Sequence, residues 1–513
     1  MSQEIVRRAF LRLLKPWLAA YCSLIVLTFL VLTWHWPLMG DSGLVHYVVF
    51  LTHHGWGPYR DIIEINTPGA YLTEDLAMLV FGGGALGWRL FDFALLVLAG
   101  LGYVYLMGVD RRQAGFLAGT LFLTIHGQDG VMAGGQRDLT AAVLLISSAC
   151  FALYATSASQ ARSRSISLLL AGICVGWATC LKPPLGIFVL LLVAWLWVQL
   201  RTSRNGLPLL LVAVGGSLCL PLVCLGFLLA NQALTAYWTM LHGLDAYHLS
   251  LGRRTIGYLL LHSISPLQPL LLLTAATAIF ACQRSLDKVD LLLLAGALVG
   301  LLSYITQRKG FSYQRYPFLI FLIALCLRRL FRKVPSSGAA AIFPPAAITL
   351  CVGMILLQTY KLSTYSRQDP DAPLLADIKA LGIDHDSGSI QCLDTIGPCI
   401  ESLYKAKLLP ATGFFYDCYF ESNVDPISLD QRRKFQQAML ATKPRWIILT
   451  ESSCFNQPPS FDKFRDWPWL QATLASYSLV RQQPSDTLQR YWSRPEKPLE
   501  YRIYRREPNE AGR

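Results

Sequence analysis

The chain has 513 residues, of which 53% are hydrophobic and only 15% are charged, and its formal net charge is +13. Soluble domains carry about 25% charged residues, so the composition argues against a soluble enzyme, and the apolar excess argues against a nucleic-acid-binding protein despite the positive charge. Several apolar runs reach roughly 18 residues or more, enough to cross a bilayer core about 30 Å thick. We therefore predict a polytopic α-helical membrane protein.

The hydrophobic runs predict about eleven transmembrane helices within residues 1–360. In chain order the predicted spans are 16–36, 86–108, 113–127, 138–157, 165–181, 185–200, 207–230, 257–282, 289–306, 315–331 and 339–360. Basic residues precede the first span, as in a signal peptide, but a small-residue cleavage site is missing and the far end is aromatic. We expect a retained anchor.

The loops between these spans separate into two sets by charge. One set carries 16 basic and four acidic residues, and the opposite set carries nine of each. The positive-inside rule assigns the first set to the cytoplasm, which gives a cytoplasmic N-terminus and an outer C-terminus. The sequence has no Asn-x-Ser/Thr glycosylation acceptor, which fits a multi-pass protein of the bacterial inner membrane.

The tail, residues 361–513, predicts a soluble α/β domain outside the membrane. Residues 445–450 are typical of a buried strand, and 371–381 and 429–442 of helices. Four cysteines lie in this tail, and they allow three disulfide pairings: Cys392, Cys399, Cys418 and Cys454. We favour Cys392 with Cys399, which closes a short loop. A zinc site is the alternative, although the spacing fits no common zinc pattern.

The first outer loop, residues 37–85, holds the densest group of polar residues. Asp41 lies where the first span ends, a position where a carboxylate is costly and usually functional. The alternative is that Asp41 caps the following helix, and both roles are compatible. Residues 42–54 have few polar groups and predict a helix lying along the membrane interface.

The first outer loop and a few other segments of the sequence resemble a known group of enzymes. Asp41 after the first span, the segment HGWGPYRDIIEINTPGAYL at 54–72, KPPLG at 182–186 and an exported tail resemble the GT-C glycosyltransferases. They are similar more narrowly to the family-39 group of protein O-mannosyltransferases and aminoarabinose transferases. The resemblance implies a GT-C fold, a sugar donor on a polyprenyl phosphate and a first-loop carboxylate as catalytic base. That family often has Asp-Glu where this chain has Asp41-Ser42, so a second carboxylate is missing or is supplied by Asp61 or Glu64.

The outer loops also supply basic residues for a lipid phosphate, since cations stabilise a leaving phosphate. The candidates are Arg137, Lys182, Arg253, Arg254, Arg308, Lys309 and Arg315, with Lys182, Lys309 and Arg315 preferred. For any single one, the alternative is pairing with a nearby carboxylate such as Asp129 or Asp138. Tyr313 and Tyr316 are candidates for lining the pocket, unless they belong to an interfacial aromatic belt.

No cofactor follows firmly from the sequence. His53 and His54, with His46, lie near enough to Asp41 in sequence to suggest a divalent metal, but hydrogen-bonded or solvated histidines are the simpler interpretation.

The leading hypothesis is an inverting membrane glycosyltransferase that works on the outer face. It would move a sugar from a polyprenyl-phosphate donor to an acceptor hydroxyl, with Asp41 as general base. The alternatives are a flippase or exporter of lipid-linked saccharides and a non-catalytic assembly scaffold. The sugar and the acceptor stay open, and nucleic acid is not an expected partner.

Overall fold

The computed structural model of the protein describes residues 3–203, 205–260, 285–331, 343–365, 369–394, 397–455, 457–483 and 500–507. Nineteen α-helices lie in these residues, from the long first helix to the short last one. They are α1 (Gln3–Thr33), α2 (Asp41–His53), α3 (Pro68–Phe81), α4 (Ala85–Met107), α5 (Arg112–Asp129), α6 (Arg137–Ser157), α7 (Ala161–Leu181), α8 (Ile187–Leu200), α9 (Gly206–Ala230), α10 (Leu234–His242), α11 (Leu244–Ser250), α12 (Ile256–Tyr258), α13 (Lys288–Gln307), α14 (Tyr316–Leu330), α15 (Phe343–Ser363), α16 (Ala372–Ala380), α17 (Pro398–Ala406), α18 (Pro426–Thr442) and α19 (Pro468–Ala475).

The chain divides into two compact units, and each is assembled from three separate segments. The helical unit contains Met1–His35, Arg89–Cys224 and Arg254–Tyr365. The sheet unit contains Trp36–Trp88, Leu225–Arg253 and Ser366–Arg513. The tail and the predicted first outer loop therefore belong to the same unit. The predicted division into residues 1–360 and 361–513 stays a prediction.

Ten of the eleven predicted spans coincide with helices, and within the described residues seven helical segments are long and apolar enough to cross a membrane. The eighth predicted span, 257–282, lies mostly outside the described residues. The number of spans stays a prediction, whereas the polytopic helical class is confirmed.

Small residues allow close packing in the helical unit. A side-chain carbon on Gly172 would lie 2.1 Å from the carbonyl oxygen of Ala213, and one on Gly176 would lie 2.2 Å from that of Ser217. The two glycines are four residues apart on α7, so they share one face. In a membrane, where apolar burial gives little net drive between helices, such small-residue faces let backbones approach and pack. This contact joins α7 to α9.

The sheet unit contains four strands: β1 (Ile390–Leu393), β2 (Trp446–Thr450), β3 (Tyr477–Gln483) and β4 (Tyr501–Arg506). Their order is β1-β2-β4-β3, with β1 and β2 parallel and the other two pairs antiparallel. Every residue of β1 and β2 is buried, as expected of parallel strands covered on both faces. The predicted α/β tail with a buried strand near residues 445–450 is confirmed.

The first outer loop adds its backbone to the tail within the sheet unit. The amide of Ile63 donates a hydrogen bond of 2.9 Å to the carbonyl of Gly413, and Ile63 forms an isolated parallel bridge with Phe414. A side-chain carbon on Gly413 would lie 1.6 Å from the carbonyl oxygen of Asp61. Only glycine fits at this crossing.

The four tail cysteines form two disulfides. Cys392 is bonded to Cys399, as predicted, and Cys418 is bonded to Cys454. The sequence separations are 7 and 36 residues. The zinc alternative is therefore wrong for these cysteines, because the sulfur atoms are paired with one another.

The longer disulfide loop predicts the larger contribution to stability. In the chain-entropy model, a cross-link removes more conformational freedom from the unfolded chain as its loop lengthens. The 36-residue separation therefore adds about 1.5 kcal/mol more to the free energy of unfolding than the 7-residue separation does. We expect the variant Cys418→Ala/Cys454→Ala to unfold at a lower temperature than Cys392→Ala/Cys399→Ala. Thermal unfolding of the full-length protein in detergent checks the order, and the reverse order would contradict the loop-length argument.

Candidate functional site

The charged residues of the predicted outer loops divide unequally between the two units. Within the described residues, the helical unit takes seven basic side chains and three carboxylates from these loops, an excess of four positive charges. The sheet unit takes two basic side chains and six carboxylates from them. The candidate phosphate-binding cations therefore concentrate in one unit, and the candidate catalytic carboxylates lie in the other.

Lys182 lies at the end of α7 because the following Pro183 disfavours helical geometry in the residue before it. Its φ and ψ are −142° and 93°. Lys182 Nζ lies 3.1 Å from a carboxylate oxygen of Asp138 and donates to Gln307 Oε1 at 3.1 Å. Lys182 is thus paired with a nearby carboxylate, which was the alternative to a phosphate-binding role. The ammonium joins the end of α7 to the start of α6 and the end of α13.

Arg315 also pairs with a carboxylate. Its guanidinium donates to Asp129 Oδ1 at 2.8 Å and to the carbonyl of Ser312 at 2.9 Å, and its side chain is 2% exposed. An arginine has five N–H donors, so the ion pair fixes the guanidinium without using all of them. The pair connects the end of α5 to the short 3₁₀ turn before α14.

A buried network that the sequence analysis did not identify lies beside this pair. Asp92 accepts hydrogen bonds from the Gly135 amide at 2.6 Å and shares a 3.2 Å contact with His126 Nε2, while Arg89 lies 3.1 Å away. His126 Nδ1 in turn contacts the Tyr316 hydroxyl at 3.0 Å. The spacing of Arg89 and Asp92, three residues apart at the start of one predicted span, could have indicated an ion pair between them.

Most of the remaining candidates of the helical unit lie near helix ends. Arg137 is the first residue of α6 and is half-buried, and Arg308 follows α13 with a left-handed φ of 54°. Lys309 is buried, whereas Tyr313 is half-buried and stacks on Phe311. Tyr316 is fully buried in the core beside Phe122 and His126, so it braces helices.

Asp41 begins α2 in the sheet unit. The N-cap position belongs to Gly40, whose φ is 67°, so the capping alternative does not apply to Asp41. Asp41 is half-buried in the first helical turn. That turn is the positive end of the helix dipole, where acidic side chains are common.

The tail holds α2 in place. Nine residues of this helix are buried, so it is packed into the sheet unit. Its position along the membrane interface stays a prediction. Gly43 contacts the side chain of Glu401, because an added carbon on Gly43 would lie 2.6 Å from Glu401 Cγ. The Tyr47 hydroxyl donates to the carbonyl of Leu408 at 2.9 Å. The position of Asp41 therefore depends on helix α17 and the residues after it.

Glu64 is engaged in holding the first loop. Its carboxylate accepts from the Asn66 amide at 2.6 Å, from Asn66 Nδ2 at 2.7 Å and from the Tyr71 hydroxyl at 2.5 Å. The group is 4% exposed. Glu64 therefore fixes the turn that leads into α3, a role that the sequence analysis did not assign to it.

Asp61 and Arg253 lie nearer to solvent. Asp61 pairs with Arg60 at 2.7 Å and accepts from the Gly57 amide at 2.7 Å. The hydrogen bond from Arg60 holds the pKa of Asp61 below its usual value, so the group is ionised at neutral pH. Arg253 is exposed.

The three histidines near Asp41 have separate partners. His46 Nδ1 lies 2.5 Å from Glu74, His53 Nε2 lies 3.1 Å from Asp75, and His54 Nδ1 lies 2.7 Å from the carbonyl of Phe50. Within the residues that the structure describes, no three His, Cys, Asp or Glu side chains are grouped as a metal site would require. A metal at His53 and His54 stays a prediction.

The comparisons with known proteins give similarity in structure alone. No protein-family model and no curated protein matches the sequence. The fold is similar to ArnT from Cupriavidus metallidurans bound to undecaprenyl phosphate, with a TM-score of 0.60 and 13% identity over 95% of this chain and 98% of that one. It is also similar to the oligosaccharyltransferase AglB from Archaeoglobus fulgidus, solved with an inhibitory peptide and a dolichol-phosphate. That match has a TM-score of 0.51 and 13% identity over 85% and 69%.

A third similar structure is the arabinofuranosyltransferase AftD from Mycobacteria. Its TM-score is 0.53 and its identity 13%, and the match covers 97% of this chain but only 40% of that protein. At such identities the similarity concerns the fold. The fold is thus shared with an oligosaccharyltransferase and an arabinofuranosyltransferase.

Removing Asp92 tests the buried network. Asp92→Ala leaves Arg89 buried without its carboxylate, and loss of one partner of a buried ion pair costs about 3–5 kcal/mol. We expect a clearly lower unfolding temperature for the full-length protein in detergent. Ser163→Ala, which removes a hydroxyl that bonds the exposed Tyr154 hydroxyl, is the control and should unfold like the wild type. An unchanged unfolding temperature for Asp92→Ala would contradict the network.

The carboxyl of Glu401 predicts a pH dependence. Burial, followed by the nearby Asp371, raises the pKa of Glu401 well above its usual 4.5, and burial raises the pKa of Asp371 to about 6. A raised carboxyl pKa means that the folded state favours the protonated form, so stability is lost as the pH rises above 4.5. We expect the unfolding temperature of the wild type to fall more between pH 5 and pH 8 than that of Glu401→Gln, which cannot ionise. Equal pH dependence would contradict this assignment.

Proposed function

Since the chain has the fold of the GT-C glycosyltransferases and is a multi-pass membrane protein, we propose that it transfers a sugar from a polyprenyl-phosphate donor to an acceptor hydroxyl, with inversion. The observation that carries the proposal is the fold shared with ArnT and AglB, whose structures hold undecaprenyl phosphate and dolichol-phosphate.

The charge of the helical unit supports the phosphate assignment. The excess of four positive charges from the outer loops is retained although Asp92, Asp129 and Asp138 are present. Cations held in fixed positions stabilise a developing phosphate charge without reorganising during the reaction. We assign this role to Lys182, Lys309 and Arg315, with Arg137, Arg308 and Arg253 as further candidates.

The proposed reaction is a single displacement. The acceptor hydroxyl oxygen forms a bond to the anomeric carbon, the bond between that carbon and the phosphate oxygen breaks, and polyprenyl phosphate leaves with the electron pair. The carboxylate of Asp41 takes the hydroxyl proton as general base. Asp61 is kept as the alternative carboxylate, because it is ionised and accessible. Glu64 is the least suitable of the three, because its oxygens already accept three hydrogen bonds.

We also propose that the tail lies outside the cytoplasm, with the N-terminus inside the cell. The positive-inside count supports this orientation. The two disulfides support it independently, since disulfides persist in oxidising compartments.

Asp41→Asn tests the base assignment. The amide keeps the shape of the side chain but does not accept the proton, and general-base catalysis contributes typically 10²–10⁴-fold. We expect transfer from a panel of polyprenyl-phosphate sugars, measured as donor consumption in membranes, to fall by about that factor at unchanged protein level. Asp466→Asn, an exposed carboxylate of the tail, is the matched control and should keep full activity.

Two outcomes would contradict the proposal. Transfer that survives in Asp41→Asn would remove Asp41 as the base. Movement of a labelled lipid-linked sugar across liposomes by the wild type, without donor consumption, would replace the transferase with a flippase.

A further inference from the structure

A cavity of about 950 Å³ lies within the sheet unit. Its walls come from all three chain segments of that unit: the first outer loop, helices α10 and α11, and the tail. The lining includes Trp56, Tyr59, Met240, Phe414, Gln431 and Ala438. Ligand cavities span about 300–1,000 Å³, so this volume lies at the upper end of that range and has room for a ligand of several rings.

The charges around the cavity are compensated within the protein. Arg60 pairs with Asp61 at 2.7 Å, and Lys434 pairs with Asp430 at 2.7 Å. Glu64 reaches the cavity wall with its carboxylate already hydrogen-bonded to the loop. An anionic ligand would have to displace a carboxylate, so the cavity suits a neutral ligand.

Gln431 supplies a buried polar atom without a partner. Its side chain lines the cavity and is 7% exposed, and among the described residues nothing donates a hydrogen bond to its Oε1. A buried acceptor left unsatisfied is costly, and such groups need an explanation in a ligand or an unseen donor. The oxygen is shielded from solvent in this rotamer, so a rotation of the amide toward the cavity would let a ligand O–H or N–H group satisfy it.

Trp56 supplies an aromatic surface. Its indole is half-buried on the cavity wall, and within the described part of the chain its N–H makes no hydrogen bond. An aromatic body with a polar tip suits a ligand that combines apolar faces with hydroxyl groups. Tyr59, almost fully buried beneath the wall, packs against Tyr71 and Tyr237 and keeps the surface rigid.

We propose that this cavity binds a neutral oligosaccharide, whose hydroxyl groups satisfy Gln431 and whose ring face stacks on Trp56. Pyranose rings present C–H faces and rims of hydroxyls, which matches an apolar wall with few, fixed polar groups. The inference rests on the proposed function in one respect only: in a glycosyltransferase this ligand is the acceptor glycan. Binding itself does not require transfer.

Binding is measured on the full-length protein in nanodiscs that contain no glycosidic detergent. The probes are neutral trisaccharides (maltotriose, cellotriose and mannotriose), followed by tryptophan fluorescence and calorimetry. We expect saturable binding of at least one of them. Trp56→Ala and Gln431→Leu should each weaken it about tenfold or more, the loss expected when a stacking or hydrogen-bonding partner is removed.

The controls separate binding from folding. Gln437→Leu changes an exposed glutamine on the same helix, α18, and should bind like the wild type. Ala438→Phe fills the cavity while keeping Gln431, and should abolish binding without lowering the unfolding temperature of the protein. Absence of saturable binding, unchanged affinity in both Trp56→Ala and Gln431→Leu, or a preference for acyl chains or acidic peptides would overturn the proposal.

The test also distinguishes this inference from the proposed function. Asp41→Asn should bind the trisaccharide with wild-type affinity while losing transfer. If Trp56→Ala, Gln431→Leu and Ala438→Phe all retain wild-type transfer, the cavity is not the acceptor site although the transferase stands. If a trisaccharide binds but no donor is consumed, the cavity stands and the transferase falls.

Discussion

A charged side chain that leaves water must be accompanied by a partner, and this constraint organises the helical unit. Asp129 and Asp138 lie at helix ends and Asp92 lies inside α4, and each is paired with a basic residue. An unpaired carboxylate in an apolar environment is expensive. The Asp138–Lys182 pair therefore holds the start of α6 to the end of α7, and the Asp129–Arg315 pair holds the end of α5 to the turn before α14. The same pairs fix the positions of Arg315 and Lys182, because a cation that neutralises a buried carboxylate has little freedom to move. A phosphate would meet cations that are already in place.

The sheet unit is held together by contacts of long sequence range. The helix that carries Asp41 packs on Glu401, and the loop that follows crosses the tail at Gly413. Residues near the N-terminus are thus positioned by contacts with residues more than three hundred positions later in the sequence. A substitution in the tail can therefore impair the first loop without touching it. Glu401 is one example, since its side chain forms the surface against which Gly43 packs.

Local patterns predicted local structure well. Hydropathy predicted ten of the helices, because long apolar runs are typical of helices in a membrane protein. Helix α18 begins three residues before its predicted start, because Asp425 caps it and Pro426 fits the first turn. Partnerships over long distances were not predictable. Nothing in the sequence indicates that Asp92 contacts His126 or that the first loop packs with the tail. Nor does the sequence indicate that Glu64 accepts the hydrogen bonds that hold the turn before α3. Gly40 takes the cap position because of a positive φ, which no pattern revealed. The catalytic role of Asp41 and the phosphate roles of the cations are still predictions.

The discontinuity of the sheet unit has a consequence for biogenesis. Its first segment ends at Trp88 and its last begins at Ser366, so the ribosome makes the intervening helices before the first loop can meet the strands that support it. At about 5–20 residues per second of synthesis, that interval lasts on the order of tens of seconds. During this delay the nascent loop, with its apolar α2 surface, is without its permanent neighbours. Both cysteine pairs, by contrast, lie within the last segment, so oxidation can begin as soon as that segment emerges, without waiting for the rest of the unit to assemble.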